Sequence, residues 1–307
     1  MNTFQKVIGC FIHPVRLFRY ASRRGMLKWM HDETYIKIIY RLQVKKKLNL
    51  ERPTTFNEKL QWLKLNERTA KYTIMVDKIA AKEYVAKCIG EEYVIPTIGM
   101  WEKAEDIDFQ KLPEKFVLKC NHDSSSIVFC KDKRKLDNQK TRKELNYCLR
   151  NNGYWYGREW PYKNVKPCIF AEKLMENSGS RKDESLLVYK FLCFNGEPKI
   201  IQTIQNDKKE NESIDYFDCD WNLLDMRQNF PNSSRPLERP KALNEMIIIA
   251  SKLSKGLPFI RVDLYEIDGK VFFSEFTFFS DDGMNRFYPD YWDALLGEWI
   301  KLEGIDD

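Results

Sequence analysis

The stretch PFIRVDLYEIDGKVFFSEFTFFSDDG, residues 258–283, decides the fold of this chain. It holds two apolar strand patterns separated by Asp268-Gly269, a dipeptide that is typical of a tight hairpin turn. The two strands are therefore predicted to be antiparallel neighbours. Three charged side chains interrupt the apolar pattern and need a reason to be there: Arg261, Asp263 and Glu275.

The hairpin brings Asp263 and Glu275 close, but the register decides whether they share a site. A strict two-residue turn pairs Asp263 with Ser274 and leaves Glu275 on the other face. A common metal site therefore requires a bulge or a looser turn. Together with Thr277, the two carboxylates would then bind Mg²⁺ jointly with phosphates. The alternative is two solvent-facing acids on an exposed sheet.

The rest of the chain mixes helical and strand patterns. Residues 33–90 are predicted to be largely helical, and short strand patterns follow from residue 115, with a polar helix at about 137–150. A hairpin is predicted at Asn195-Gly196, and a further strand is predicted over residues 216–226. These patterns predict an α+β fold with predominantly antiparallel sheets.

Composition limits the class of protein. The chain has 307 residues, 43% of them hydrophobic and 31% charged, which excludes wholesale disorder. A net charge of +6 suits phosphorylated small molecules or an anionic surface and predicts no nucleic-acid partner. The eight cysteines form no C-x-x-C pair and are interpreted as reduced thiols in a cytoplasmic protein.

Residues 1–50 are predicted to form a basic helical region outside the main domain. Apolar side chains alternate there with arginines and lysines, and Pro14 interrupts any single long helix. Two interpretations stay open. The helices pack on the domain with their basic residues solvated, or they make peripheral contact with the inner face of an anionic membrane. The predicted location is cytoplasmic and, under the second interpretation, membrane-associated.

Two further segments have the residue types of a nucleotide site. In KFVLKCNHDSSSIVFCKDK, residues 115–133, Lys119 lies on a strand followed by a small polar loop that could fold over phosphates. In IFAEKLM, residues 169–175, Glu172 and Lys173 lie where a strand could line a nucleotide pocket. The alternatives are a solvated lysine and an ordinary edge strand with a Glu–Lys pair.

Taken in order, these segments resemble the ATP-grasp enzymes, and residues about 50–302 resemble the TupA-like ATP-grasp family of polysaccharide and teichuronopeptide biosynthesis loci. Members of this family are often labelled glycosyltransferases. The segments that carry the resemblance are TFNEKLQWLKLNER, DKIAAKEYV, FVLKCNHDSSS, REWPYKN, YKFLCFNGEPK, DWNLL, RVDLY and SEFTFFSDDG.

The resemblance implies a fold in which two α+β subdomains hold ATP between antiparallel sheets. The ATP-grasp-like domain would span 51–307, with a lid subdomain at about 113–172. Lys78 and Lys119 would bind the phosphates, and the 121–126 loop would close over them. The other ATP-binding residues implied are Asn121, Ser124, Ser125, Ser126, Glu172, Lys173 and Leu174, the last three around adenine.

The resemblance also implies roles at the hairpin. Arg261, with Lys119, would act on the transferred phosphate, while Asp263 and Glu275 would bind Mg²⁺. Thr277 stands where many relatives have an asparagine ligand. A ribose-binding acid is expected after the adenine strand, and Asp183 or Glu184 could serve.

Acceptor recognition is predicted at Lys190 and in the aromatic loop GYWYGREWPY, residues 153–162. Trp155 and Trp160 could stack on a sugar face, and Arg158 could hold a carboxylate. A buried aromatic cluster is the alternative interpretation of this loop.

The activity implied is ATP-dependent ligation of a carboxylate to an amine through an acyl phosphate, with an amino acid or amine joined to a surface glycan precursor. Two alternatives remain. A glycosyltransferase would use a D-x-D motif, which Asp218-Cys219-Asp220 matches in letters. An inactive ATP-binding scaffold is motivated by the phosphate loop, where Asp123 and serines replace glycines and add a negative charge.

Overall fold

The computed structural model describes residues 14–123, 126–178, 186–207 and 210–305. Two helices come first, α1 (Pro14–Arg23) and α2 (Asp32–Gln43). They share a small apolar core in which Phe18 packs on Tyr35 with ring centroids 4.9 Å apart. The prediction of a helical region before the main domain is confirmed.

Three helices follow and bring the first candidate lysine into place. They are α3 (Phe56–Asn66), α4 (Ala70–Val76) and α5 (Lys78–Ile89). Asp77 caps α5, because its Oδ1 accepts hydrogen bonds from the backbone N–H groups of Ile79 (2.9 Å) and Ala80 (3.3 Å). This cap fixes Lys78 as the first residue of the helix.

A four-stranded antiparallel sheet, the small sheet, is built next. Its strands are β1 (Thr97–Trp101), β2 (Phe116–Cys120), β3 (Ile127–Cys130) and β4 (Ile169–Lys173), in the order β1-β4-β2-β3. Between β3 and β4 the chain forms α6 (Asn138–Leu149) and the short α7 (Tyr154–Gly157). The predicted lid range of about 113–172 contains three of these strands, but β1 precedes it, so the sheet begins earlier than that range.

A five-stranded antiparallel sheet, the large sheet, carries the hairpin of residues 258–283. Its order is β7-β6-β5-β8-β9. Both predicted hairpin turns are confirmed, because Asn195-Gly196 and Asp268-Gly269 have the positive φ angles of such turns. The elements are β5 (Val188–Phe194), β6 (Glu197–Gln205), β7 (Ser213–Phe217), α8 (Leu243–Ser254), β8 (Phe259–Ile267), β9 (Lys270–Thr277) and α9 (Tyr291–Trp299).

The main hydrophobic core lies on one face of the large sheet. Ile260, Val262 and Leu264 of β8 are fully buried there, together with the apolar side of α8. Successive side chains of a strand point to opposite faces, so Arg261 and Asp263 point to the other face. The apolar residues of β8 therefore hold the strand in the register that presents the charged ones.

The predicted strand at 216–226 is largely wrong, because β7 ends at Phe217. A turn follows in which Asp218 Oδ1 accepts hydrogen bonds from the backbone N–H groups of Asp220 (3.0 Å) and Asn222 (2.8 Å). An aspartate that caps its own turn ends a strand pattern. Within the described residues, no helix is both long and apolar enough to cross a membrane.

Candidate functional site

The bulge that a shared carboxylate site requires is present in the β8–β9 hairpin. Asp263 pairs directly with Glu275, and the register shifts between Asp263 and Leu264. Arg261 pairs with Thr277 two residues away. The extra residue therefore turns both carboxylates to the same face of the sheet.

Arg261 forms a bidentate ion pair with Asp263 on this face. Its Nε lies 2.7 Å from Asp263 Oδ1 and its Nη2 lies 2.8 Å from Oδ2. Nη1 donates to Ser280 Oγ (3.2 Å), and Nη2 lies 3.6 Å from Glu275 Oε1. Burial would lower the pKa of Arg261, but the charge of Asp263 outweighs it and raises the pKa above its ordinary value. The guanidinium is therefore charged and held in one orientation.

Three lysines from other elements surround the two carboxylates. Lys78 Nζ, from the first residue of α5, lies 3.8 Å from Glu275 Oε2. Lys190 of β5 pairs with Asp263, with its Nζ 3.9 Å from Oδ2. Lys119 of β2, on the small sheet, is near enough for its charge to lower the pKa of Glu275. Burial would raise the pKa of Glu275, but the positive charges of these lysines lower it below its ordinary value. Glu275 is therefore ionised.

Glu172 of β4 bridges two lysines. Its Oε2 lies 2.5 Å from Lys119 Nζ, and its Oε1 lies 2.5 Å from Lys82 Nζ. Burial would raise the pKa of Glu172, but these two ammonium groups lower it. Lys173 is exposed and Leu174 is half-buried at the end of the strand. The contact of these three residues with adenine stays a prediction.

Asn121 lies next to the candidate site, but its side chain is used within the protein. It is 1% exposed, its Nδ2 donates to Lys166 O (3.0 Å), and its Oδ1 accepts from the backbone N–H of Cys168 (2.8 Å). Its carbonyl accepts from the backbone N–H of Lys78 (3.0 Å). The side chain therefore positions the start of the loop, and a direct contact with ATP does not fit its hydrogen bonds.

The carboxylate of Asp123 forms hydrogen bonds with Ser126, three residues later in the chain. Its carboxylate accepts hydrogen bonds from Ser126 Oγ and from the backbone N–H of Ser126 (3.2 Å), and Lys78 Nζ donates to its carbonyl. Ser126 Oγ in turn accepts from the backbone N–H of Cys120 (3.0 Å). Asp123 thus acts as a cap for Ser126. The remaining predicted loop residues and ribose-binding acids lie outside the described residues: Ser124, Ser125, Asp183 and Glu184.

The substrate role predicted for Arg158 is corrected by its position. Arg158 is 2% exposed, its Nη2 donates to Leu27 O (2.6 Å), and its guanidinium lies over the ring of Tyr35 (4.5 Å). Trp155 packs against the same guanidinium at 4.9 Å, and Trp160 is half-buried. The aromatic loop therefore forms the surface on which α1 and α2 dock, which is the alternative interpretation of this segment.

Three further residues lie near the carboxylates of Glu172 or Glu275 and were not predicted from the sequence. Lys82 lies one helical turn after Lys78, a spacing that could have revealed it. Tyr265 continues the alternation of Arg261 and Asp263 along β8, and burial raises its pKa. Burial also raises the pKa of Tyr162 well above its ordinary value, and the charge of Glu159 adds to this. No local pattern marks Tyr162, because the fold of its loop places it there.

A second charged cluster lies directly after β9. Asp282 forms an ion pair with Arg19 of α1, and the fully buried Lys64 Nζ donates to Asp282 O (2.8 Å) and lies 3.5 Å from its Oδ1. Burial would raise the pKa of Asp282, but the charges of Lys64 and Arg19 hold it at about 2. We name the sheet face that carries Arg261, Asp263 and Glu275 the active face. The cluster fixes the segment whose Ser280 hydroxyl accepts from the Arg261 guanidinium of that face.

We expect Asp282→Asn to lower the free energy of unfolding at neutral pH. Because folding lowers the pKa of Asp282 from 3.8 to about 2, its charge stabilises the fold above about pH 4. The difference from wild type should therefore shrink as the pH falls towards about 2. Urea denaturation at a series of pH values measures it. Asp281→Asn is the matched control, because both residues have positive φ, which asparagine accepts, and Asp281 is exposed. Equal pH dependence in both variants would contradict the role of Asp282.

The residues present fit a magnesium ion that is held jointly with phosphates. Mg²⁺ prefers one or two protein carboxylates and takes its other oxygen ligands from water and phosphate. Asp263 and Glu275 supply two such carboxylates from one rung of the sheet. In the part of the chain that the structure describes, no three His, Cys, Asp or Glu residues form a metal cluster. The two carboxylates of Asp263 and Glu275 suit an ion whose other ligands are water and phosphate oxygens.

Several solved structures are similar to this chain at low sequence identity. The D-alanine–D-alanine ligase from Bacillus anthracis complexed with ATP is 18% identical, with a TM-score of 0.37 over 66% of this chain and 53% of that one. The corresponding ligase from Helicobacter pylori is 15% identical, with a TM-score of 0.41 over 81% and 70%. The ATP-grasp ligase PsnB, complexed with minimal precursor, Mg and ADP, is 9% identical, with a TM-score of 0.36 over 72% and 57%. This chain spans little more than half the length of the first and third.

The family comparison covers most of the chain. No curated protein sequence matches it significantly. The family model described as TupA-like ATP-grasp matches residues 58–301, which include every charged residue of the active face and both sheets. The match begins after α2, as the sequence predicted for the first 50 residues. The chain therefore belongs to the TupA-like ATP-grasp family.

Proposed function

We propose that this protein is an ATP-dependent carboxylate–amine ligase. One observation carries the proposal. Two carboxylates stand on directly paired residues of adjacent strands, and positive side chains from four different elements surround them. Such a site suits a triphosphate bound with Mg²⁺. The cations are Lys78 of α5, Lys119 of β2, Lys190 of β5 and Arg261 of β8.

The proposed reaction has two steps. A substrate carboxylate oxygen attacks the γ-phosphorus of ATP, so that a P–O bond forms, ADP leaves and an acyl phosphate results. The nitrogen of an amine then attacks the acyl carbon, the bond from carbon to the phosphate oxygen breaks, and the amine loses a proton. Phosphoryl transfer of this kind depends mainly on positioning and on neutralising charge.

The residues of the chain would divide this work between them. Lys78 and Lys119 would hold the phosphates from opposite sides, and the guanidinium of Arg261, fixed by Asp263, would neutralise charge on the transferred phosphoryl group. Asp263 and Glu275 would hold Mg²⁺, which when bound would supply further charge neutralisation. Lys190 lies next to Asp263 and would attract the carboxylate of the substrate. No nucleophilic serine or cysteine is needed.

The proposed substrates are an amino acid or amine and a precursor of a surface glycan. The support is the resemblance to a family of polysaccharide biosynthesis loci. The glycosyltransferase alternative depends on the D-x-D motif at residues 218–220. It is weakened because the Asp218 carboxylate caps its own turn. An inactive scaffold is the other alternative. The reason for it is weakened, because the Asp123 carboxylate accepts hydrogen bonds from Ser126.

The test is a product assay with ATP, Mg²⁺, candidate amino acids and glycan precursors. We expect acceptor-dependent formation of ADP and phosphate. Lys119→Met should weaken ATP binding by about 10–100-fold, because a charge-assisted contact is lost. Lys115→Met is the matched control, since Lys115 immediately precedes the same strand and forms an exposed ion pair with Glu176. Nucleotide release from a sugar donor would support the glycosyltransferase, and ATP binding without turnover would support the scaffold.

A further inference from the structure

Residues 14–30, which comprise α1 and the turn after it, expose large apolar side chains beside basic ones. Trp29 is 80% exposed and Met26 is 63% exposed, and Leu17 and Tyr20 are also exposed. The segment contains five arginines and lysines and no acidic residue. One of the basic residues, Arg19, forms an ion pair with Asp282. Lys28 lies over the ring of Trp155 (5.3 Å) and so belongs to the docked side. We name the following exposed residues the α1 patch: Arg16, Leu17, Tyr20, Arg24, Met26 and Trp29.

The α1 patch is separate from the face with which α1 docks on the protein. Phe18 packs on Tyr35, and Ser22 Oγ donates to Trp155 O (2.6 Å), both on the inward side of the helix. At 100° per residue, positions 16, 17, 20 and 24 fall on the opposite side. The docking of α1 is therefore complete without the patch, and the fold gives no reason for its apolar residues.

The chemistry of the patch fits an anionic lipid surface. Arg24 lies over the ring of Tyr20 (5.3 Å), which places a cation beside an amphipathic ring that prefers the lipid–water interface. Apolar side chains that enter the interface and basic ones that reach phosphate groups are the two attractions on which interfacial helices rely. Positive charge on every copy opposes self-association through this face. Binding to a nucleic acid would rely on phosphate contacts and would not bury the apolar side chains of Leu17 and Met26.

We propose that the α1 patch docks this protein on the surface of an anionic lipid bilayer. The proposal is independent of the reaction, because none of the patch residues contacts the active face. It also gives the first 50 residues a role that the family domain does not supply. Proteins that act on lipid-linked or surface-bound precursors benefit from such docking, since it confines the enzyme to the surface where the precursor lies.

The experiment is vesicle flotation with the full chain. Vesicles of phosphatidylcholine alone are compared with vesicles that also contain phosphatidylglycerol. We expect binding only to the anionic vesicles, with a decrease at high salt. The double variant Arg16→Glu/Arg24→Glu should bind at least about tenfold more weakly, and Trp29→Ala should also bind more weakly.

Two matched controls test whether the effect is specific to the α1 patch. Phe129→Ala removes an aromatic side chain that is 61% exposed on the small sheet, and Lys111→Glu reverses an exposed charge outside the patch. Both should bind vesicles as wild type does. Equal binding by the patch variants, or no binding by wild type, would overturn the proposal. A dimer in solution that Trp29→Ala dissociates would assign the patch to a second copy instead.

Discussion

Asp263→Ala is expected to lower the free energy of unfolding by about 3–5 kcal/mol, because it leaves the guanidinium of Arg261 buried without its main partner. Asp263 is almost fully buried, and both of its oxygens bond that guanidinium at 2.7 and 2.8 Å. Glu275, at 3.6 Å, would replace part of the lost interaction, which places the expected loss towards the lower value. Urea denaturation followed by circular dichroism measures it.

A double variant separates the structural role of this pair from its chemical role. Arg261→Met/Asp263→Leu removes both charges and keeps apolar volume, and buried ion pairs replaced in this way cost little or no stability. We expect stability near that of wild type, together with loss of ATP turnover. A stable and active double variant would show that the pair serves the fold alone. Wild-type stability in Asp263→Ala would show that water or Glu275 satisfies the guanidinium.

The alternation of residues in β8 was sufficient to predict which side chains share a face. Arg261 and Asp263 stand two residues apart among apolar neighbours, and the structure has them on one face. The bulge opposite them could not be predicted, since the turn letters Asp268-Gly269 favour a strict register. A bulge depends on how the whole hairpin packs. The sequence could therefore predict Glu275 on the face of Asp263 only on the condition that a bulge is present.

The aromatic loop and Glu172 show why side-chain roles were harder to predict than strands. Arg158 has the side chain of a substrate-binding residue, yet it is buried against Leu27 and Tyr35, more than 100 positions earlier in the chain. Glu172 was expected beside adenine through its backbone, and its carboxylate bridges lysines of β2 and α5. Contacts between distant segments decide both cases, and a sequence pattern of short range carries no information about them.

Glu275→Gln is expected to have the largest effect on activity with little effect on stability. Glutamine keeps the volume of the side chain but removes the anionic oxygen that Mg²⁺ prefers. The side chain is partly exposed, so its ion pair with Lys78 contributes no more than about 1 kcal/mol to folding. We expect the Mg²⁺ concentration for half-maximal turnover to rise by about 100-fold or more, a change larger than the 10–100-fold typical of residues that only orient a ligand.

The pKa of Glu275 gives this prediction a second readout. Burial would raise that pKa, but the positive charges of Lys78 and Arg261 lower it below 4.5, so the wild-type ligand stays ionised as the pH falls to that value. The metal requirement of wild type should therefore change little between pH 7 and pH 5, and Glu275→Gln should shift it equally at both pH values. Glu266→Gln is the matched control, because Glu266 lies near the turn of the same hairpin, opposite Val271. If Glu275→Gln leaves the metal requirement as in wild type, Glu275 is not a ligand, and Asp263 would hold the ion without it.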